Sequence, residues 1–316
     1  MPAVPRRRYT RPVTTPDFAS ALIPWFEREA RDLPWRDPET SAWAVLVSEF
    51  MLQQTQVDRV LPRWEAWLSR WPTPSSLARE EPGEAVRAWD RLGYPRRALW
   101  LHRAAVEIAE RHGDTVPADV DRLLELTGIG PYTARAVAAF AYGARHPVVD
   151  TNTRRVLARA LHGKAAAGMP SPADLDDMEE LLPEDPAAAA TFNAAAMELG
   201  AIVCTARAPR CGDCPIAELC EWRGAGYPDN APQKRPKQAK FAGSDRQVRG
   251  RIMALLRAEA EPVTPERAIE AAERGGVRDP EQPRRAYDSL IADGLIVERD
   301  GRAGLPGHTK HDTPVK

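Results

Sequence analysis

Apolar residues recur at helical spacing along most of this chain, whereas the strict alternation that predicts half-buried strands is scarce. The first periodic stretch runs from Trp43 to Trp71 and is expected to break near Pro62. Within it, Trp64, Trp67 and Trp71 share one helical face, which predicts a buried stripe. The same spacing predicts helices over 83–89, 98–112, 120–126, 132–142, 153–161, 174–182 and 188–199. We therefore predict a mainly α fold.

A stretch with few apolar residues divides this region from a second helical one. Residues 227–244 are rich in Pro, Lys and Gln, a composition typical of linkers. Beyond them, 247–258, 265–273 and 284–293 predict three short helices. The apolar run 295–297, a turn at Asp300 and Gly301, and Leu305 predict a hairpin. Together these elements predict a small winged-helix-like module over 245–306, followed by a disordered tail over 307–316.

Composition adds size and charge to this picture. The 316 residues are 43% hydrophobic, which is ample for a core. The formal net charge of -1 does not indicate an overall positive potential that would attract nucleic acid. Any such contact must use local basic runs, although each run is also typical of a solvated surface. The runs are Arg6, Arg7 and Arg8; Arg91, Arg96, Arg97 and Arg103; and Lys234, Arg235, Lys237 and Lys240. No apolar stretch approaches a membrane span or an export signal, so we expect no membrane partner and a cytoplasmic, nucleoid-associated location.

The segment LELTGIGPYTARAVAAFAYG, residues 124–143, predicts a helix-hairpin-helix. Gly128 and Gly130 would permit positive φ values and a close approach in the reversal, and Pro131 suits the first helical position. Gly143 would end the second helix. Such a hairpin points backbone N–H groups outward, where they can bind a DNA phosphate. An ordinary corner between two helices is the alternative, and the GIGPYTA string favours the DNA interpretation.

All four cysteines lie in one C-x6-C-x2-C-x5-C run and predict a single metal site. They are Cys204, Cys211, Cys214 and Cys220. Zinc accepts four thiolates, but zinc ribbons usually show two C-x2-C pairs, and this run has one. Iron-sulfur clusters take four thiolates at unequal spacings. The spacing thus favours iron-sulfur over zinc, with unliganded core thiols as the third alternative.

Two carboxylates are candidates for acid–base chemistry. Glu49 lies among Val45, Leu46, Val47, Phe50, Met51 and Leu52, so desolvation would raise its pKa and suit a general acid. The alternative is a glutamate on the polar side of its helix. Asp150 follows the extended HPVV string and precedes a helix that begins near Thr151 or Asn152. It is either an N-cap, an ionised stabiliser of positive charge, or both.

The hairpin, the acid after it and the cysteine run together resemble the helix-hairpin-helix DNA glycosylases that carry a 4Fe-4S cluster. Within that superfamily the closest resemblance is to the A/G-mismatch adenine DNA glycosylases, the MutY family. The strings that carry it are LPWR (33–36), SEFMLQQTQV (48–57), LGY (92–94), VVDTNTRRVLAR (148–159) and MELGAIVC (197–204), in register over about 25–222. The resemblance implies a two-lobed catalytic domain over 1–226, with a six-helix lobe at about 38–145. A cluster lobe would combine about 15–37 with 146–226.

The resemblance also implies an activity and catalytic residues. The chain would hydrolyse, as a monomer, the N-glycosidic bond of adenine opposite 8-oxoguanine or guanine in double-stranded DNA. Glu49 would protonate the base, and Asp150 would stabilise or attack the sugar cation. Tyr132 stands where bifunctional relatives carry a Schiff-base lysine, which implies a monofunctional enzyme. Tyr132 and Asn152 would support Asp150.

Binding residues follow from the same resemblance. Gln54, Thr55 and Tyr94 would lie near the lesion pair, Gly128 and Gly130 at the phosphate, and Trp35, Arg36 and Glu198 around the adenine. Cys204, Cys211, Cys214 and Cys220 would hold a structural 4Fe-4S cluster. That cluster would tie down the 205–210 loop with Arg207 and Arg210 facing DNA.

The sequence departs from the family at two places. Pro95 replaces a second aromatic after Tyr94, and residues 245–306 do not resemble the NUDIX-like domain that reads 8-oxoguanine in most relatives. The C-terminal module either contacts DNA or packs on the catalytic domain, and we weigh these equally. Its candidate DNA contacts are Arg246, Arg249, Arg251, Arg284 and Arg285.

Two other functions fit parts of the sequence. A mismatch thymine or uracil glycosylase of the same superfamily would share the hairpin tyrosine and the cluster. A redox-sensing regulator built from a cluster and a winged helix would bind DNA without catalysis. The regulator leaves Glu49 and Asp150 without a task.

Overall fold

The computed structural model describes residues 15–229 and 241–307. The predicted basic runs Arg6–Arg8 and Lys234–Lys240, most of the predicted linker and all but the first residue of the predicted tail lie outside these ranges.

Helices dominate the described residues, which confirms the mainly α prediction. They are α1 Thr15–Glu29, α2 Ala42–Leu52, α3 Val57–Arg70, α4 Pro74–Ala78, α5 Pro82–Trp89, α6 Arg96–Arg111, α7 Val120–Leu124, α8 Pro131–Tyr142, α9 Thr151–Ala160, α10 Ala173–Leu181, α11 Pro186–Ile202, α12 Glu221–Gly224, α13 Asp245–Ala258, α14 Pro265–Glu273 and α15 Gln282–Ala292. Short 3-10 turns occupy Pro34–Arg36, Cys211–Asp213 and Ala217–Leu219. The strands β1 Val297–Arg299 and β2 Arg302–Gly304 pair antiparallel.

The described chain forms two compact units. The first comprises residues 15–45, 118–124 and 129–229, and the second comprises 46–117, 125–128 and 241–307. The domain boundaries given above, with a catalytic domain ending at 226, stay a prediction.

The core of the first unit is built on α1, α9 and α11. Phe18 and Leu22 of α1 and Phe192 and Leu199 of α11 are almost completely buried in one apolar cluster. Helix α1 was absent from the predicted elements, although Phe18, Leu22 and Trp25 follow helical spacing. This packing places the start of α9 beside the cysteine run that follows α11.

Tryptophans form the core of the second unit, as predicted. Trp67 packs edge-on against Trp71 and Trp89, with ring centroids 4.7 and 5.8 Å apart. Such edge contacts add about 0.5–1.5 kcal/mol to the gain from burial. The core thereby fixes α3 against α5 and the loop that follows α5.

The predicted helix break near Pro62 is wrong. The chain instead leaves the helix between α2 and α3, where Gln54 adopts a φ of 56°. Pro62 lies inside α3, where it removes one helical N–H donor. The helix continues through it because Val60, Trp64 and Trp67 are buried on both sides of the proline.

The C-terminal module, residues 245–306, contains the three predicted helices and the predicted hairpin. Asp300 and Gly301 have φ values of 50° and 71°, as a two-residue type I′ turn requires. Val248, Ile252 and Tyr287 form part of its buried core. The winged-helix assignment stays a prediction. Separately, no helix of the described residues combines the length and apolar character of a membrane span.

Candidate catalytic and cluster sites

Glu49 is buried on α2, as its apolar surroundings predicted. Its residue exposure is 7%, and the adjacent Phe50 and Met51 have none. Burial of this kind removes a carboxyl group from bulk water. Glu49 belongs to the second unit.

The predicted helix-hairpin-helix is formed by α7, the turn 125–130 and α8. Gly128 has a φ of 79°, and a Cβ there would lie 2.7 Å from Cβ of Trp100. Pro131 occupies the first turn of α8, and Gly143 ends the helix in the left-handed region. The expectation of a positive φ at Gly130 is wrong, because its φ of -98° is extended. No atom lies within 4 Å of a Cβ built there, so the N-terminus of α8 is uncrowded on that side.

Asp150 caps the N-terminus of α9, which confirms the N-cap interpretation. Its Oδ1 accepts a hydrogen bond from the backbone N–H of Thr153 at 2.7 Å. Its Oδ2 accepts one from Nδ2 of Asn152 at 2.8 Å. The two bonds fix both carboxylate oxygens of Asp150 at the start of α9.

A hydrogen-bonded chain runs from Asp150 to the first cysteine. Nη2 of Arg155 donates to Oδ1 of Asn152 at 2.9 Å, and Nε donates to the carbonyl of Cys204 at 2.7 Å. Nη2 also donates to the carbonyl of Gly200 at 2.6 Å. A Cβ at Gly200 would lie 2.7 Å from the carbonyl oxygen of Asn152, so only glycine permits this approach of α11 to α9. Arg155 and Gly200 therefore hold Asn152, and through it Asp150, in place.

The four cysteines line one cavity, as a common cofactor requires. Burial, followed by the charges of the other three cysteines, raises the pKa of the Cys214 thiol to about 12. Four thiolates so close together need bound cations to offset their repulsion. Within the described ranges, no three His, Cys, Asp or Glu side chains converge closely enough for a single metal ion. Four thiolates are the usual ligand set of an iron-sulfur cluster.

Arg159 supplies positive charge to this cavity from α9. Its Nη1 donates to Sγ of Cys204 at 3.3 Å and to the carbonyl of Thr205 at 2.8 Å. Its guanidinium lies over the Trp222 ring, 4.6 Å from the centroid. Hydrogen-bond donors to the sulfur atoms of an iron-sulfur site stabilise the negative charge of those atoms. Arg159 is in position to act as such a donor to Cys204. Arg207 and Arg210 of the following loop are exposed.

Glu198 is completely buried and ion-paired with two arginines. Arg31 donates from Nε and Nη2 to its two carboxylate oxygens at 2.7 and 2.8 Å, and Nη2 of Arg36 adds a bond of 2.8 Å. Although burial alone would raise it, hydrogen bonds from Arg31 and Arg36 hold the pKa of Glu198 at about 2. Trp35, the third residue predicted here, is buried in the adjoining 3-10 turn.

Tyr132 lies at the start of α8 in the first unit. It packs against a small apolar cluster of Ala136, Ala139 and Val148, which Met197 also contacts. The structure thus brings Tyr132 to the segment that leads into Asp150 and to the residue before Glu198.

Two of the three residues predicted near the lesion pair share an unusual backbone conformation. Gln54 and Tyr94 have φ values of 56° and 47°, and both side chains are exposed, Tyr94 by 56%. Positive φ at such residues costs about 1–3 kcal/mol and persists where surrounding contacts hold it. Thr55 is buried between them, and its hydroxyl donates to the carbonyl of Leu92 at 3.2 Å.

Arg97 joins these two loops and corrects one expectation. It was grouped with a surface basic run, yet it is only 4% exposed. Its guanidinium donates to the carbonyls of Gln53 at 2.7 Å and Gly93 at 3.2 Å and to the Thr55 hydroxyl at 3.2 Å. Burial lowers its pKa to about 10, so it stays charged at neutral pH. Arg97 holds the loops and does not face solvent.

Sequence reasoning missed four arginines of these sites: Arg31, Arg97, Arg155 and Arg159. Burial of an arginine leaves no clear mark in the sequence, since many of its partners come from distant segments. The spacing of Arg155 and Arg159, four residues apart on one helical face, was the one available signal.

Known proteins resemble this chain in sequence and fold. A family model described as HhH-GPD superfamily base excision DNA repair protein matches residues 47–175, and the iron-sulfur binding domain of endonuclease III matches 204–220. Adenine DNA glycosylase of Mycolicibacterium smegmatis is 54% identical over 295 residues, covering 93% of this chain and 98% of that protein. Adenine DNA glycosylase of Mycobacterium tuberculosis is 53% identical over 288 residues, 90% and 92% of the two chains. The structure of a thermostable thymine-DNA glycosylase matches with a TM-score of 0.61 and 25% identity, over 67% of this chain and 97% of that one.

These similarities bear on two predictions. The structural match confirms the helix-hairpin-helix glycosylase fold, and the match over the cysteine run confirms the iron-sulfur site. A match over 93% of the chain must also reach into the C-terminal module.

Proposed function

We propose that this chain, which belongs to the adenine DNA glycosylases of the HhH-GPD superfamily, removes adenine from mispaired double-stranded DNA by hydrolysis. The proposal rests on the sequence identity of 54% between this chain and an adenine DNA glycosylase, over 98% of that relative's length. The expected partner base is 8-oxoguanine or guanine, and the enzyme is expected to act as a monomer in the cytoplasm.

Glu49 is the general acid in this proposal. Adenine leaves poorly as an anion, so a proton delivered to N7 makes it a neutral leaving group. The burial of Glu49 among apolar residues supports this role, since general acids of this kind work in sites shielded from water. Positioned proton transfer of this kind contributes about 10²–10⁴-fold to the rate.

Asp150 acts on the sugar. As the base departs, positive charge develops on C1′ and the ring oxygen, and the ionised carboxylate either stabilises it or attacks C1′ before water completes hydrolysis. Its hydrogen bonds to the Thr153 N–H and to Asn152 fix the position of both carboxylate oxygens, which supports this role. In the covalent course, Glu49 would then take a proton from the attacking water.

Tyr132 accounts for a monofunctional reaction. A lyase needs an amine that forms a Schiff base with the sugar, and this position supplies a phenol. The product is therefore an intact strand with an abasic site. The packing of Tyr132 beside the segment leading to Asp150 supports its place at the reaction centre.

The extruded adenine is held by the pocket of Trp35, Arg36 and Glu198. Glu198 fixes the guanidinium groups of Arg31 and Arg36 through short hydrogen bonds. Gln54 and Tyr94 probe the mispair, and the exposed positions of both side chains support this role. Moving the adenine out of the duplex costs about a few kcal/mol of stacking and pairing energy. A mismatch lowers this cost because its pairing is already weakened.

The 4Fe-4S cluster is bound by Cys204, Cys211, Cys214 and Cys220. When bound, the cluster would join the four cysteines of the segment after α11 to one another, and it would take no part in the reaction. Through Arg155, the backbone of Cys204 supports Asn152 and hence Asp150.

A panel of duplexes tests the proposal. Each carries A or T opposite 8-oxoguanine, G or C, and strand breaks are counted before and after hot alkali. We expect breaks at adenine only, and only after alkali. Breaks without alkali would contradict the monofunctional reaction, thymine-dependent breaks would indicate a thymine glycosylase, and no breaks at all would favour a regulator.

A further inference from the structure

The loop of residues 90–95, which we call the probe loop, holds an energetically unfavourable conformation. Asp90, Gly93 and Tyr94 have φ values of 45°, 87° and 47°. Asp90 and Tyr94 pay a conformational cost there that glycine does not. Neighbouring groups must therefore hold the loop in the shape that exposes Tyr94.

Part of that support comes from the helices around the loop. The indole Nε1 of Trp89 donates to the carbonyl of Gly93 at 3.0 Å, and Arg97 donates to the same carbonyl. Nη2 of Arg63 bonds Oδ2 of Asp90 at 2.5 Å. These contacts fix the centre of the probe loop.

The C-terminal module holds the segment before the loop. Nη1 of Arg87, on α5, donates to the carbonyls of Leu256 at 3.3 Å, Arg257 at 2.5 Å and Glu259 at 2.9 Å. These carbonyls lie at the end of α13, where a helix leaves acceptors unsatisfied and favours positive charge. One guanidinium thus connects α5 to the end of α13.

Backbone packing tightens this connection at the start of α5. The N–H of Gly83 donates to the carbonyl of Pro306 at 2.6 Å. A Cβ at Gly83 would lie 2.6 Å from the same oxygen, so the approach needs glycine. Both ends of α5 are therefore bound to the module.

The module also reaches the segment after the loop. Nη1 of Arg96 lies 3.5 Å from Oδ1 of Asp293, the residue that follows α15. Burial lowers the pKa of Arg257, and the nearby charge of Asp90 opposes that shift. Charges of the module consequently face the probe loop at its beginning and just beyond its end.

The arginines expected to contact DNA have partners within the module or just before it. Arg249 bonds Ser289 and Asp293, and Arg251 bonds the carbonyls of Ala272, Gly275 and Gly276. Arg284 pairs with Asp288, Arg285 with Asp279, and Arg246 lies over the Phe241 ring. Of the two roles considered for the module, packing has the stronger support.

We propose that the C-terminal module is a brace for the probe loop, and that Arg87 is the positioning residue that transmits its support to Tyr94. The proposal rests on the proposed function, in which Tyr94 probes the mispair. The brace lowers the free-energy cost of ordering the loop when DNA binds, so mismatch recognition gains more from it than bond cleavage does. In this chain the module would serve recognition without touching the bases.

The test compares full-length Arg87→Met with Arg302→Met. Arg302 is exposed on the hairpin, and its Nη1 donates to the carbonyl of Pro262 at 3.2 Å. Replacing Arg302 therefore removes a similar arginine–carbonyl hydrogen bond that does not involve α5 or the probe loop. Affinity is measured for A:8-oxoguanine and A:T duplexes, together with the single-turnover excision rate at saturating protein. Fluorescence of 2-aminopurine beside the target adenine reports unstacking.

Arg87→Met should weaken mismatch affinity about tenfold, the effect of about 1.4 kcal/mol. It should also reduce the fluorescence change, while the saturating excision rate and A:T affinity change less than about threefold. Arg302→Met should match the wild type, and Arg87→Lys should restore part of the lost affinity.

Several results would overturn the brace. Unchanged mismatch affinity in Arg87→Met would do so, as would an equal loss for both duplexes, which would indicate direct DNA contact by the module. If Arg87→Met fails to fold, Asp293→Asn, which weakens the contacts of this residue with Arg96 and Arg249, must reproduce the selective loss. Absence of adenine release by the wild type would refute the proposed function alone, because the binding comparison still decides the brace.

Discussion

Replacing Glu198 by glutamine removes one buried charge and leaves the shape of the side chain almost unchanged. In the native protein its pKa is held at about 2, against an ordinary value of 4.5. This lowering of the pKa corresponds to about 3 kcal/mol of stability. The amide keeps some hydrogen bonds to Arg31 and Arg36, so we expect a loss of about 2–3 kcal/mol.

The sign of the pH dependence follows from the lowered pKa. Ionised Glu198 stabilises the fold at every pH above its unfolded pKa of 4.5, and this contribution is lost as the pH falls from there through about 2. The stability difference between wild type and Glu198→Gln should therefore stay constant from pH 8 down to about 5.

Urea unfolding across this pH range measures the difference, with the cluster intact in both proteins. Glu184→Gln is the matched control, because Glu184 is exposed in the same unit and its loss changes the net charge equally. The control should lie within about 0.5 kcal/mol of the wild type. A difference that shrinks between pH 8 and 5, or one no larger than the control's, would refute the ion-paired assignment.

Three further predictions concern the residues around the reaction centre. Arg155→Met should lower the single-turnover excision rate about 10–100-fold while the cluster absorbance is kept, because Asn152 loses its anchor; an unchanged rate would contradict the positioning chain. Gly200→Ala should destabilise the protein by about 1–3 kcal/mol in denaturant unfolding, because the added methyl group meets the backbone of Asn152; wild-type stability would show that α11 can shift freely. Tyr132→Lys should produce strand breaks before alkali treatment that borohydride traps as a covalent complex, and their absence would place Tyr132 away from the sugar.

The sequence predicted the elements and charges that local pattern determines. The N-cap at Asp150, the stop at Gly143 and the turn at Asp300 and Gly301 each depend on neighbouring residues, and the structure contains all three. The common cavity of the four cysteines was predictable because all four lie within one segment of 17 residues, 204–220.

Features that depend on distant segments were not predictable in this way. Arg97 looked like a member of a surface run, since nothing near it in sequence shows that carbonyls of two other loops surround it. The helix break at Gln54 was misplaced to Pro62 because tertiary contacts, not local propensity, hold Gln54 at positive φ. The close approach at Gly200 likewise appears only when α9 and α11 pack.

The most direct test of the proposed reaction detects the released base itself. Wild type and Glu49→Gln are incubated with a duplex that contains one A:8-oxoguanine pair, and free adenine is quantified by mass spectrometry beside duplex affinity. We predict that the wild type releases adenine and leaves the strand intact, and that Glu49→Gln binds the duplex but releases none. Release of adenine by Glu49→Gln at the wild-type rate would contradict the assignment of Glu49 as the proton donor.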